Sequence, residues 1–164
     1  MKYYCGIDLG GTKIYTVVMT EKGEIIGREK LKTNGEVGLE GVVARIVECY
    51  KKVVSSCGLK EKDISAVGMA VPSAVDVNVG MLLHAPNLGW KNLALSKIMF
   101  DNIRKPFFID NDVNMGVFGE SSLGVAKNFK HLYGMFAGTG IGGGYIFDGK
   151  IVRGLNYTAG EIGH

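Results

Sequence analysis

The chain has 164 residues, of which 46% are hydrophobic and 21% charged, so it is long enough to bury one sizeable core. Its formal net charge is +3, and its 19 basic residues are scattered along the chain rather than clustered. This distribution argues against nucleic acid as a partner. There is no signal-peptide pattern and no apolar stretch long enough to span a bilayer, so we expect a cytoplasmic protein without a membrane partner.

The three cysteines, Cys5, Cys49 and Cys57, are widely spaced. No Cys-x-x-Cys pair is present, which argues against a metal cluster built from thiols. We therefore expect free thiols, packed as small hydrophobic groups.

The first two thirds of the chain predict an α/β domain that opens with a meander of three strands. Apolar residues recur at helical spacing between Val37 and Cys57, and Gly58 follows as a helix stop. Pro72 ends a later strand, and Pro106 ends a second helix. The expected elements are strands 2–8, 14–20 and 24–33, a helix 37–57, a strand 64–71, a hairpin-like stretch to 83, a helix 93–103 and a strand 107–110.

The last third predicts the beginning of a second domain. A helix is expected over residues 113–123, and the strands are expected at 131–137, 145–147 and 151–152. We place the boundary near residue 115, which gives a domain 1–115 and a partial domain 116–164. The second part is too short to bury a core unaided.

A carboxylate followed by a glycine turn joins the first two predicted strands. Glycines at 10 and 11 let the backbone turn sharply and bring its N–H groups close to an anion. In that reading Asp8 holds magnesium through water, Thr12 donates its hydroxyl, and Lys13 offsets phosphate charge. A strand rather than a helix follows, which excludes the usual P-loop and dinucleotide fingerprints. Taken alone, the segment is more often an ordinary hairpin turn.

A second glycine-rich loop lies between strands near residue 140. Its phosphate-binding candidates are Gly138, Thr139, Gly140 and Gly142. Glycine is costly in a chain unless its geometry is used, so the cluster favours anion binding over a merely flexible connection.

Asn111 and Asp112 stand where a buried strand hands over to a helix. Phosphoryl transfer to an alcohol benefits from a carboxylate that accepts the hydroxyl proton, which makes Asp112 the candidate general base. The alternative is that Asp112 only caps the helix. Asp110 is a weaker candidate, because successive residues of a strand point to opposite faces and Asp110 would therefore face away from Asn111.

Four motifs together carry a family resemblance. In chain order they are Asp8-Leu9-Gly10-Gly11-Thr12-Lys13, Ala85-Pro86-Asn87-Leu88-Gly89-Trp90, Asn111-Asp112 and Glu161-Ile162-Gly163-His164. In this combination the sequence resembles the ROK family of sugar kinases and repressors. The resemblance implies an actin-like ATPase (ribonuclease H-like) domain with a mixed five-stranded sheet, followed by an incomplete domain of the same type. Family members are considerably longer, so the chain looks like the first half of a glucokinase-like member.

The resemblance also implies roles for individual residues. It makes Asp112 the general base, assigns Asn111 to a sugar hydroxyl, and assigns Glu161 and His164 to the sugar. It implies that the two glycine hairpins face each other around the polyphosphate of Mg-ATP. In many members the histidine also ligates a structural zinc, which for His164 requires further ligands beyond it.

Two further segments belong to the implied sugar pocket. Ser73 stands where the family usually has glycine and the backbone approaches the sugar. Its hydroxymethyl group is expected to narrow the pocket or add a hydrogen bond, which leaves the sugar preference open. Asn87 is expected in the outer wall, while Trp90 is more often a packing residue.

The resulting expectation is an ATP-dependent kinase of a hexose or N-acetylhexosamine, working as a homo-oligomer such as a dimer. One alternative is a sugar-sensing transcriptional regulator of the same family. Those members carry a helix-turn-helix domain ahead of the first strand, which here begins at Lys2. Another alternative is a catalytically incomplete fragment of a kinase.

Overall fold

The computed structural model describes residues 1–138 and 140–163. It divides into two compact units, Met1–Asp110 and Asn111–His164. The domain boundary predicted from the sequence lies near residue 115. The structure divides the chain between residues 110 and 111, four to five residues earlier. The helix that follows residue 111 therefore belongs wholly to the second unit.

The first unit is built on a mixed five-stranded sheet, which confirms the predicted fold. The strand order is β3-β2-β1-β4-β8, with β1 antiparallel to β2 and parallel to β4. A smaller antiparallel sheet of β5, β6 and β7 follows β4 in the chain. The elements are β1 (Tyr3–Leu9), β2 (Lys13–Thr20), β3 (Ile25–Lys32), α1 (Gly38–Ser56), β4 (Ile64–Val71), β5 (Ala74–Asp76), β6 (Met81–Ala85), β7 (Trp90–Leu93), α2 (Leu95–Ile103) and β8 (Phe107–Asn111).

The core of this unit lies under one face of the large sheet. Alternate side chains of β1 and β4 point to that face, because successive strand residues face opposite ways. Helix α1 packs against β2 and β3, and its Tyr50 is fully buried. The buried residues of these strands are Cys5, Ile7, Leu9, Ile64, Val67, Met69 and Val71.

The second unit has one helix and a three-stranded antiparallel sheet in the order β11-β10-β9. Its elements are α3 (Asp112–Ser122), β9 (Leu132–Ala137), β10 (Ile141–Phe147) and β11 (Lys150–Val152). The sequence predicted a strand only from residue 145 and left Gly142 in the preceding loop, which is wrong. Gly142 is paired with Phe136 inside β10. The strand was missed because glycine is depleted in strands, so three in succession hide the pattern.

The second unit buries little apolar surface of its own. Among the described residues, only Val117 and Ile146 are buried hydrophobic side chains of this unit. Leu155 and Val125 are 94% and 92% exposed, and apolar side chains on β9 and β10 are exposed as well. This agrees with the expectation that so short a segment cannot form a core unaided.

No helix in the part of the chain that the structure describes combines the length and the apolar character needed to cross a membrane.

Candidate active site

The turn between β1 and β2 is a tight loop with an exposed tip. The Gly10 N–H donates to the Lys13 carbonyl oxygen at 2.9 Å and closes the turn. Gly11, Thr12 and Lys13 are exposed. A side chain at Gly10 would meet the Lys13 carbonyl at 3.2 Å, so the close backbone approach favours glycine there. The turn therefore presents backbone and a cation to solvent, as an anion site requires.

Asp8, at the end of β1, carries a carboxyl group whose charge is poorly compensated. Although the residue is exposed overall, partial burial of the carboxyl raises its pKa, and the Lys13 ammonium opposes this shift without cancelling it. Desolvation disfavours the ionised form, so an additional positive charge nearby would stabilise it. The chemistry of this group fits a bound cation.

Thr33, which the sequence did not indicate as a site residue, stabilises this turn through two hydrogen bonds. Thr33 is fully buried just after β3, and its Oγ1 donates to the Gly10 carbonyl oxygen at 2.7 Å. Its N–H donates to the Thr12 carbonyl oxygen at 3.0 Å. No sequence signal marks this residue, since a threonine at a strand end is unremarkable.

Asn87 lies against the same turn. It sits in a single 3₁₀ turn, Pro86–Leu88, and a Cβ at Gly11 would lie 3.5 Å from the Asn87 Cβ. The structure thus brings this candidate sugar residue to the candidate phosphate turn within one unit. Trp90, in contrast, is a buried core residue, which agrees with a packing role.

Ser73 makes hydrogen bonds inside the protein. Its Oγ donates to the Ala74 carbonyl oxygen at 2.8 Å and accepts the His84 N–H at 3.1 Å. It is 5% exposed and stands beside the irregular start of the β5–β6 pairing. The hydroxyl proton is used within the backbone, so any hydrogen bond with a sugar would use an oxygen lone pair.

Asn111 and Asp112 have different roles at the start of α3. Asn111 is the N-cap, because its Oδ1 accepts the Asn114 N–H at 2.9 Å. Asp112 is the first helical residue, and its Oδ1 accepts the Val113 N–H at 2.9 Å and the Asn111 Nδ2 at 3.2 Å. The alternative that Asp112 is the helix cap is therefore wrong. Asn111 fills that position, and the half-buried Asp112 carboxylate is held in a defined orientation.

The second glycine-rich segment has two parts with different environments. At Gly138 and Gly140 a Cβ would meet no described heavy atom within 4 Å, and both residues are exposed, while the Gly138 N–H donates to the Gly140 carbonyl oxygen at 2.8 Å. A Cβ at Gly142 would lie 2.5 Å from Val113 Cγ2, and one at Gly144 would lie 3.1 Å from Asn114 Oδ1. These two strand glycines allow α3 to pack closely on β10. Gly138 and Gly140 are exposed and Gly142 is half-buried, and the phosphate role expected of all three stays a prediction.

Glu161 follows a segment that rests on β10. Gly160, at φ +92°, has its Cα region against the Gly143 carbonyl, and its own carbonyl oxygen accepts the Tyr133 hydroxyl at 2.8 Å. The Glu161 N–H then donates to the Thr158 carbonyl oxygen at 3.3 Å. The carboxylate candidate is thus carried on a turn that is fixed to the glycine strand.

Thr139 and His164, two of the predicted site residues, lie outside the described residues. Within residues 1–138 and 140–163, no group of three His, Cys, Asp or Glu side chains is arranged to hold a metal ion. The predicted zinc role of His164 is therefore not tested.

The family of this chain follows from its similarity to known proteins. The model of the ROK family matches residues 4–164. The chain belongs to the ROK family. A ROK family glucokinase from Streptomyces griseus, solved in complex with glucose and AMPPNP, superposes with a TM-score of 0.88 and 31% identity. That alignment covers 99% of this chain and 50% of the glucokinase, and the shared fold is that of actin-like ATPase sugar kinases.

Other ROK relatives include both kinases and regulators. The glucokinase of Halalkalibacterium halodurans is 32% identical over 163 residues, covering 99% of this chain and 49% of the relative. The xylose repressor of Caldicellulosiruptor bescii is 33% identical over 159 residues, covering 97% of this chain and 40% of the repressor. The chain spans about half the length, or less, of these curated relatives.

Proposed function

We propose that this protein takes part in the ATP-dependent phosphorylation of a hexose or N-acetylhexosamine, with Asp112 as the general base. The observation that carries the proposal is the start of α3. Asn111 caps the helix, and the Asp112 carboxylate is oriented by the Val113 N–H and the Asn111 amide. A carboxylate positioned at a strand end in this way suits proton removal from an alcohol.

In the proposed reaction, Asp112 accepts the proton of a sugar hydroxyl as that oxygen attacks the γ-phosphorus of ATP. The new bond joins the sugar oxygen to phosphorus, the bond between the γ-phosphorus and the β,γ-bridging oxygen breaks, and ADP leaves with that electron pair. Asn111, Asn87, Ser73, Glu161 and His164 are the proposed sugar residues. Proton transfer to a positioned carboxylate contributes about 10²- to 10⁴-fold to such reactions.

The turn between β1 and β2 is proposed to bind phosphate oxygens through the amides around Gly10 and Gly11, the Thr12 hydroxyl and the Lys13 ammonium. Gly138, Thr139 and Gly140 are proposed to act in the same way. A magnesium ion bound with ATP neutralises charge on the phosphates during transfer. Asp8 fits its outer coordination shell, because partial burial leaves that carboxyl short of positive charge.

The test is sugar-dependent ADP release from Mg-ATP over a panel of hexoses and N-acetylhexosamines, comparing the wild type with Asp112→Asn. Asp112→Asn should lower kcat by at least about 100-fold while sugar affinity stays within a few-fold. Asp101→Asn is the matched control, because Asp101 lies on the exposed side of α2 in a salt bridge with Lys97 and should leave turnover unchanged. If Asp112→Asn turns over as fast as the wild type, Asp112 is not the general base.

A second candidate is a sugar-binding regulator, which the similarity to the xylose repressor favours. A regulator needs sugar affinity but no phosphoryl transfer. Calorimetry with the same sugar panel separates the two. Sugar binding without ADP release from Mg-ATP would favour the regulator, whereas sugar-dependent release would favour the kinase.

A further inference from the structure

Thr33 reaches both ends of the exposed turn from a fully buried position. Its Oγ1 donates to the Gly10 carbonyl oxygen at 2.7 Å, and its N–H donates to the Thr12 carbonyl oxygen at 3.0 Å. The turn's own closing bond, from the Gly10 N–H to the Lys13 carbonyl oxygen, leaves the Gly10 carbonyl to an external donor. Thr33 supplies that donor.

The bond to the Gly10 carbonyl also sets the direction of an amide. The carbonyl oxygen of Gly10 and the N–H of Gly11 belong to one planar peptide group, and in a trans peptide they point in opposite directions. The described residues contain no cis peptide bond. Because the Gly10 carbonyl is held toward Thr33, the Gly11 N–H points away from the buried Thr33. Rotation of this peptide would turn the N–H inward and present a carbonyl oxygen instead.

The support for Thr33 is itself anchored. The Arg45 Nε, on α1, donates to the carbonyl oxygen of Lys32 at 2.6 Å. Asn34 then adopts a left-handed conformation with φ +51°, so the chain turns away directly after Thr33. Thr33 therefore lies between a contact with α1 on one side and a change of chain direction on the other.

We propose that Thr33 is a positioning residue that fixes the Gly10–Gly11 peptide so that the Gly11 N–H faces a bound phosphate. The inference rests on the proposed phosphate-binding function of this turn. A buried hydroxyl that only stabilised the fold would affect folding and leave ligand affinity unchanged. A positioning hydroxyl affects the affinity for phosphate and the protection of the Gly10 amide, whose N–H closes the turn.

The test uses the full chain with three variants. Thr33→Val keeps the shape and removes the hydroxyl, whereas Thr33→Ser keeps the hydroxyl. Thr16→Val is the matched control, because Thr16 is also fully buried and its hydroxyl donates to Cys49 Sγ at 3.2 Å, not to the turn. The probes are Mg-ATP and inorganic tripolyphosphate, titrated calorimetrically. Exchange of the Gly10 amide, which donates to the Lys13 carbonyl oxygen, is followed by NMR without ligand.

We expect Thr33→Val to weaken binding of both probes by about tenfold and to speed exchange of the Gly10 N–H, because the turn that this N–H closes loses its support. Thr33→Ser should stay within about twofold of the wild type, and so should Thr16→Val. If Thr33→Val binds both probes as the wild type does, or loses no more affinity than Thr16→Val, the positioning role is wrong. If the wild type itself binds neither probe, the phosphate function of the turn fails, which is a distinct result.

Discussion

Gly143, in the middle of β10, is expected to tolerate no side chain. A Cβ at this position would collide with the Tyr133 hydroxyl and with the carbonyl oxygen of Gly160. The Tyr133 ring can rotate away, but the Gly160 carbonyl is backbone. Gly160 also adopts φ +92°, a conformation that restricts how this segment can move. Gly143→Ala should therefore push the 160–163 segment off the strand.

The magnitude follows from three effects. Overpacking of a well-packed contact costs about 1–3 kcal/mol. Displacing Gly160 also breaks its hydrogen bond from the Tyr133 hydroxyl, which is 2.8 Å long and worth about 0.5–1.5 kcal/mol. Replacing glycine by alanine returns about 0.4–1 kcal/mol by restricting the unfolded chain. We therefore expect a net loss of about 2 kcal/mol in the free energy of unfolding.

The assay is urea denaturation followed by circular dichroism, with amide exchange of β10 to report on the second unit. Gly138→Ala is the matched control in the same hairpin, because no described heavy atom lies within 4 Å of its Cβ position. It should change stability by less than about 0.5 kcal/mol. Equal stabilities for Gly143→Ala and Gly138→Ala would refute the packing role assigned to Gly143.

Four further predictions concern single side chains. Tyr50→Phe should raise the melting temperature. The buried Tyr50 hydroxyl has no hydrogen-bond partner among the described residues, so its removal abolishes the free-energy cost of burying an unpaired polar group. Asn111→Ala should cost about 1 kcal/mol in urea denaturation by removing the cap of α3, while Asn111→Ser, which keeps an uncharged capping oxygen, should retain more of the stability. Iodoacetamide at pH 8 should modify the partly exposed Cys57 and spare Cys5, whose pKa burial raises to about 12, as peptide mass spectrometry would show. Burial raises the pKa of Asp8, so the folded state binds its proton more tightly than the unfolded state and stability falls as pH rises above the unfolded pKa. Asp8→Asn should therefore be more stable than the wild type at pH 7, with a difference that vanishes in acid, and an unchanged difference across pH would contradict this.

The large sheet could be predicted from the sequence because its signals are local. The strands around Ile7 and Met69 are bounded by glycine or proline, and the helix between Gly38 and Ser56 has a clear apolar period. Each of these elements buries one face in a single core, so periodicity and burial agree. The family motifs then specified which strand ends carry the candidate site residues.

The parts that could not be predicted depend on individual hydrogen bonds, which the pattern of residue types does not specify. Thr33 is one of six threonines, and only the fold shows that its hydroxyl reaches Gly10, 23 residues away. Likewise, the N-cap role belongs to Asn111 rather than Asp112, which the dipeptide alone does not distinguish. Nor does the sequence show that the Ser73 hydroxyl donates to the carbonyl oxygen of Ala74.

The two glycine-rich segments use glycine for different physical reasons, and this limits what glycine content can predict. At Gly10 the absence of a side chain allows a tight turn whose tip remains exposed. At Gly142 and Gly144 it allows a helix to approach a strand, and a Cβ would meet α3 rather than a ligand. Since α3 begins at the proposed base Asp112, alanine at Gly142 should lower turnover by displacing that helix, with phosphate affinity little changed. Alanine at Gly138 would add bulk beside an accessible backbone and should weaken Mg-ATP binding instead. Steady-state kinetics should therefore show a lower kcat for Gly142→Ala and a higher KM for Mg-ATP in Gly138→Ala. This difference would distinguish a packing role from phosphate recognition within a single hairpin.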